Sequence, residues 1–189
     1  METYPNLLKS AALAQRALSD AGIDSIVIGG LAVAIWGEPR LTRDVDLKVL
    51  LQRDRAEQLV KALPQGFRCL ADHPEATLRR VGFLFVQDAA GIRIDFLLAD
   101  TGFDVEAFSR KRNVEMMAER IAVCTPEDLI VYKMISTRSR DHDDVRGVIR
   151  RQQDKLDDDY ITSWLYQFEQ ALDDSTLVSS YRQMRKTEG

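Results

Sequence analysis

The chain has 189 residues, 45% hydrophobic, 30% charged and 7% aromatic, with a formal charge of −4. That length and composition suit a globular protein that buries a core unaided, and they argue against long disorder and against a strongly basic nucleic-acid binder. Two isolated cysteines, Cys69 and Cys124, and two isolated histidines, His73 and His142, exclude zinc-finger spacing and a disulfide framework.

The amino-terminal run Met1-Glu2-Thr3-Tyr4-Pro5 lacks the basic-then-apolar order of a signal peptide. No apolar run reaches the roughly 18 residues of a membrane helix, so a cytoplasmic protein with no membrane partner is expected. Leu7, Leu8, Ala11, Ala14, Leu18 and Ala21 recur at helical spacing, and Gly22 is a natural stop. Ser25-Ile26-Val27-Ile28 predicts a buried strand, Gly29-Gly30 a break, and Leu31 to Trp36 a helix leaving the strand end. After a loop at 37–40, Val45, Leu47 and Val49 alternate with Asp44, Asp46 and Lys48, as in a strand with one polar face. An amphipathic helix follows at 53–63.

Two extended segments, 81–87 and 92–98, flank a hairpin turn at Asp88-Ala89-Ala90-Gly91. A short strand is expected at 121–124. Thr125-Pro126-Glu127-Asp128 then signals a helix start, running to Thr137. The remainder reads as helical: 141–151, a helix from about Asp157 through Leu172, and a short third. The expected architecture is α/β (α+β), a small mixed sheet flanked by helices. The core spans 1–123 and a C-terminal helical part, 124–189, packs on it.

The chemistry concentrates between Gly29 and Asp95. Alternate residues of a strand point the same way, so Asp44 and Asp46 place two carboxylates on one face, about 7 Å apart. Two such charges are costly unless a cation lies between them, and magnesium takes hard oxygen ligands together with substrate phosphates. Gly29-Gly30, between a strand and a helix start, offers bare N–H groups and a helix dipole to a phosphate. Asp95 is a lone charge in an apolar strand and needs a partner. Beside Asp44 and Asp46 it would complete a trio able to hold two magnesium ions.

These residues resemble a known family. Gly-Gly, a spacer, Asp-x-Asp and a later strand aspartate resemble the nucleotidyltransferase superfamily. Within it, Arg40-Leu41-Thr42-Arg43-Asp44-Val45-Asp46 resembles the signature of the AbiEii/AbiGii-toxin-like (MNT-type) small bacterial nucleotidyltransferases. Pro126 to Lys133 and Arg140-Asp141-His142-Asp143-Asp144-Val145 resemble two further motifs, and the likeness runs from about Ile23 to Ile149. It implies a nucleotidyltransferase-like fold and transfer of a nucleoside monophosphate from an NTP to a hydroxyl of tRNA, a protein or a small molecule, with release of pyrophosphate. It also implies a toxin role beside an antitoxin.

By that resemblance Gly29 and Gly30 hold phosphates, Asp44 and Asp46 bind magnesium, and Asp95 is the third ligand or the general base. Lys133 neutralises phosphate charge, with Arg40 and Arg43 as further candidates, and Asp141 and Asp144 match active-site acids. Two departures stand out. Gly30 replaces a frequent serine, and the helical part after Ile149 is shorter than in such toxins, which predicts a reduced or different acceptor apparatus.

Each assignment has a plainer counterpart. Gly29-Gly30 also fits a tight turn, Lys133 a helix lysine whose stem reaches to solvent, and Arg40 and Arg43 counter-charges to nearby acids. Asp141 and Asp144 also fit the dipole of a helix start. The arginines from Arg138 to Arg151 fit either an RNA-facing surface or a solvated helix face. The alternative function is a nucleotidyltransferase-like protein that binds nucleotide or a partner without chemistry.

Overall fold

A computed structural model describes residues 3–136 and 138–188. The expected helix end at Thr137 and the terminal Met1-Glu2 lie outside the described residues. The chain divides into two compact units, residues 1–31 with 41–124, and residues 32–40 with 125–189.

In the first unit, α1 (Thr3–Asp20) buries Leu7, Leu8, Ala11, Ala14 and Leu18. It stops at Gly22, whose φ of +72° lets Ile23 N–H reach back to the Leu18 carbonyl and Gly22 N–H to that of Ser19. β1 (Asp24–Ile28) follows, and α2 (Gly29–Trp36) begins at the next residue. β2 (Asp44–Leu50) alternates as expected: Val45, Leu47 and Val49 are fully buried, while Asp44, Asp46 and Lys48 face the other way. A 3-10 turn (Arg53–Arg55) leads to α3 (Ala56–Ala62), the two-residue β3 (Arg68–Cys69) and α4 (Pro74–Val81). Gly82, at φ +77°, ends α4, so β4 (Phe83–Gln87) starts later than the extended segment expected from Val81.

β5 (Arg93–Leu98) returns through the predicted hairpin, where the Asp88 carboxylate accepts from the N–H groups of Ala90 and Ile92. α5 (Gly102–Arg110) is closed by a Thr101/Asp104 capping box. β6 (Arg112–Met116) and β7 (Glu119–Val123) form a hairpin through Met117 and Ala118, both at positive φ. The seven strands lie in the order β3-β4-β5-β2-β1-β7-β6. The sheet is mixed: β2 runs parallel to β5 and β1 to β7, and the other neighbours are antiparallel. Its face bearing Leu84, Val86, Val45, Leu47, Val49, Ile94, Phe96 and Leu98 is closed to solvent. On β2, β4 and β5 the opposite face carries the charged and aromatic side chains.

In the second unit, α6 (Pro126–Met134) starts at the predicted signal, with Thr125 and Asp128 in a capping box and Pro126 in the first turn. α7 (Ser139–Gln152), a 3-10 turn (Gln153–Lys155), α8 (Asp158–Leu172) and α9 (Leu177–Glu188) complete it. α6 packs on α7 and α8, and α9 on α7 and α8. Segment 32–40 is tied to the end of α7: Arg151 donates to the carbonyls of Ala34 and Gly37, Gln152 to that of Trp36, and Arg150 pairs with Glu38. Gly37 is needed there, because a Cβ would lie 2.9 Å from Val148 Cγ2. Among the described residues no helix is long and apolar enough to cross a membrane.

Candidate active site

The parallel register of β2 and β5 sets Asp44 beside Arg93 and Asp46 beside Asp95. Paired residues of neighbouring strands share a face, so the three predicted carboxylates lie on one side of the sheet. Asp46 is central, with Asp95 on one flank and Ile28, at the end of β1, on the other.

Arg93 is the neighbour that sequence reasoning missed. Its Nη2 lies 2.7 Å from Asp44 Oδ2 and 3.0 Å from Asp95 Oδ2, and its Nε is 2.8 Å from Asp95 Oδ1. Its position two residues before Asp95, hence on the same strand face, was the available signal. Asp95 Oδ1 is buried and makes no hydrogen bond of good geometry, although the Nε charge is close. Burial pushes the Asp95 carboxyl above the usual range and the Asp44 charge adds to this, outweighing Arg93. The Arg93 guanidinium loses some stabilisation to burial, but the charges of Asp95, Asp44 and Asp46 still raise its pKa. The asymmetry follows exposure, since the Arg93 side chain is 47% exposed and that of Asp95 only 10%.

Gly29 and Gly30 sit against these acids. Gly29 has φ +62°, and a Cβ there would fall 1.9 Å from Asp46 Oδ2. A Cβ on Gly30 would fall 2.4 Å from Oγ1 of Thr42. Thr42 is buried and donates to Asp44 Oδ1 at 3.1 Å. The two glycines therefore make room for Asp46 and Thr42 at the first N–H groups of α2. Gly29→Ala is expected to cost more than Gly22→Ala in urea unfolding. Both would carry the left-handed penalty of about 1–2 kcal/mol, but Gly22 opens on free space and only Gly29 meets Asp46. Equal losses would remove Asp46 from the account of Gly29.

The donor set suits a hard divalent cation: carboxylate oxygens on one face, an unbonded buried Oδ1, and a glycine cradle beside it. Among the described residues no group of three acidic, histidine or cysteine side chains forms a ready-made metal cage, and magnesium needs only one or two carboxylates together with substrate phosphates and water. Arg93 instead supplies the positive charge between Asp44 and Asp95.

The other predicted residues gather in the second unit. Lys133, expected either to neutralise phosphate charge or to reach its stem to solvent, is only 6% exposed. Its Nζ lies 2.5 Å from Asp141 Oδ1 and 2.9 Å from Asp144 Oδ2. Arg40 grips Asp144 with two nitrogens, at 2.5 and 2.7 Å. Ser136 and Arg138 donate to the second oxygen of Asp141. Arg43, next to Asp44 in the first unit, is exposed.

Burial pushes the Asp141 carboxyl up, but the hydrogen bonds from Lys133 and Ser136 and the charges of Lys133 and Arg138 hold it below the usual range. The sign follows. This stabilisation is complete above the ordinary aspartate pKa, about 3.9, and is lost as pH falls through the lower folded value. Asp141→Asn is expected to be less stable at neutral pH and to unfold with a shallower acid limb, measured by circular dichroism. An acid limb unchanged from the parent would refute this role.

No curated protein sequence matches the chain. Several solved structures share its fold, among them these three. An antigenic nucleotidyltransferase-like protein from Paracoccidioides brasiliensis is 14% identical, with 93% of this chain and 92% of that one covered and a TM-score of 0.53. JHP933 from Helicobacter pylori is 14% identical over 99% and 94%, with a TM-score of 0.51. ANT(2")-Ia, in complex with adenylyl-2"-tobramycin, is 11% identical over 88% and 99%, with a TM-score of 0.59. Residues 8–178 match one sequence family across both units, and the chain belongs to that family, described as nucleotidyl transferase of unknown function (DUF2204).

Proposed function

We propose that this nucleotidyltransferase is magnesium-dependent and moves a nucleoside monophosphate from an NTP to a hydroxyl acceptor, releasing pyrophosphate. The observation that carries the proposal is Asp46, flanked in register by Asp95 and touching the glycine start of α2. Asp44, Asp46 and Asp95 would hold the magnesium, two ions on the number of carboxylates. When bound, the metal neutralises phosphate charge and stabilises the attacking and leaving oxygens.

The protein's own groups divide the rest. The N–H groups at Gly29 and Gly30 hold the triphosphate, and exposed Arg43 adds charge to it. The acceptor oxygen forms a bond to the α-phosphorus as the α–β bridging bond breaks. Asp95 serves either as the third metal ligand or as the general base that takes the hydroxyl proton. Lys133, Arg40, Asp141 and Asp144 already satisfy one another, so we assign them to holding the helical unit together.

The acceptor class spans tRNA, protein and small molecules; ANT(2")-Ia, bound to an adenylylated tobramycin, supports the last. The signature around Thr42 supports membership of the AbiEii/AbiGii-toxin-like subgroup, a cytoplasmic toxin role and an antitoxin partner.

One observation favours a second reading, a domain that binds nucleotide or a partner without chemistry: Arg93 already supplies a cation to Asp44 and Asp95. Incubation with magnesium, α-labelled NTPs, total RNA and lysate separates the two. Label on an acceptor with pyrophosphate release, both abolished by EDTA, is the expected result. NTP binding without release would establish the second reading.

A further inference from the structure

Across the open face of the first unit, residues from successive strands form one row. It runs Ile28, Asp46, Asp95, Phe85 and then Leu70, whose N–H donates to the Phe85 carbonyl. The glycine cradle lies at the Ile28 end. A triphosphate held there comes to Asp46 from the β1 side, so an acceptor hydroxyl beside Asp95 must come over β4.

That side is aromatic. Phe83 and Phe85 are 39% and 41% exposed, their ring centroids are 5.2 Å apart, and the planes are tilted by 35°. Leu70 extends the apolar surface and is 46% exposed. Two guanidiniums flank it. Arg93 lies over the Phe85 ring at 5.3 Å, and Arg68, opposite Gln87, bonds its side-chain oxygen. Arg68, Leu70, Phe83, Phe85 and Gln87 include no acid. A polycationic amino sugar would find nothing to pair with on this ledge, whereas a flat ring attached to a phosphate chain finds both of its complements.

We propose that Phe83, Phe85 and Leu70 form the acceptor subsite, and that the acceptor is the terminal nucleoside of a single RNA strand. The proposal rests on the transferase reading above. The last base stacks against the Phe83–Phe85 pair and the strand continues over Leu70, with the backbone phosphates toward Arg68 and Arg93. The terminal ribose then lies at Asp95. Its hydroxyl oxygen bonds to the α-phosphorus of the NTP, pyrophosphate leaves, and the hydroxyl proton is released to solvent.

The test uses the full chain and a fluorescein-labelled single-stranded RNA octamer with a free 3′-hydroxyl. Anisotropy is read in EDTA without NTP, so that binding is measured apart from chemistry. Phe85→Ala is expected to weaken binding about fivefold or more, since stacking on one base carries at least that much. Phe85→Trp, which restores a ring, should bind as well as the parent. Both side chains are partly exposed, so the melting temperature should change little, and magnesium-dependent NTP affinity should stay at the parent value. An octamer with an abasic last residue should lose as much as Phe85→Ala does. Equal binding by Phe85→Ala, equal binding of the abasic strand, or displacement of the RNA by a tyrosine peptide or an amino sugar would overturn the proposal. Transfer to another acceptor without RNA binding would sink this subsite and leave the transferase reading standing. RNA binding with the expected Phe85 dependence but no pyrophosphate release would do the reverse.

Discussion

Asp46→Asn is expected to leave the fold intact and to slow nucleotidyl transfer by about a hundredfold or more, about 2.7 kcal/mol of transition-state stabilisation. The amide keeps the size of the carboxylate, so the contact with Gly29 survives. What disappears is a negative charge at the centre of the row, where the proposed magnesium would be held. Asp46 is also the acid that reaches the glycine cradle, so neither Asp44 nor Asp95 replaces it. The measurement is pyrophosphate release under saturating magnesium and NTP, with far-ultraviolet circular dichroism as the control for folding. Transfer at the parent rate would remove Asp46 from the essential groups.

Lys133→Ala is expected to destabilise the protein by about 3–5 kcal/mol, the scale for removing one partner of a buried ion pair. Asp141 and Asp144 are each under 5% exposed, and both direct an oxygen at the Lys133 ammonium. Without it, Asp144 keeps Arg40 and Asp141 keeps Ser136 and exposed Arg138, but the buried charge is no longer balanced. A double variant, Lys133→Met with Asp141→Asn, should recover part of the loss by removing charge from both sides. Urea denaturation measures all three proteins. A Lys133→Ala midpoint within a few tenths of molar of the parent would return this lysine to a surface role. Ile130, fully buried on the same helix, provides the scale: its truncation to alanine should cost about 2–5 kcal/mol by lost packing.

The legible parts of the molecule were those in which a local pattern carries the structure. Strict alternation exposed β2 and its acids, a charge inside an apolar run marked Asp95, and Thr125-Pro126 marked the start of α6. The hairpin of β6 and β7 had no such mark, because its turn is Met117-Ala118 rather than the usual glycine or asparagine. Helix α4 presents only Leu78 as a fully buried apolar residue, too little for a periodic signal, and β6 is a largely polar edge strand. The site divides in the same way. The carboxylates and glycines could be named from spacing. The reason for the glycines could not, because Asp46 and Thr42 approach them from another strand and a loop. The burial of Lys133 depends on helix α7, and no window around position 133 contains that information.

The register of β2 against β5 also bears on how the molecule assembles. Asp44 and Arg93 stand 49 positions apart in the chain, so the centre of the first unit depends on a non-local parallel pairing, a slow kind of contact to form. Until β5 docks, Asp44 and Asp46 face each other's field without their guanidinium neighbour. The strand that adds the third acid brings Arg93 with it, two residues earlier and on the same face. β5 therefore arrives with no net charge on that face, and closing this part of the sheet adds no uncompensated repulsion at a step that already has a long loop to close.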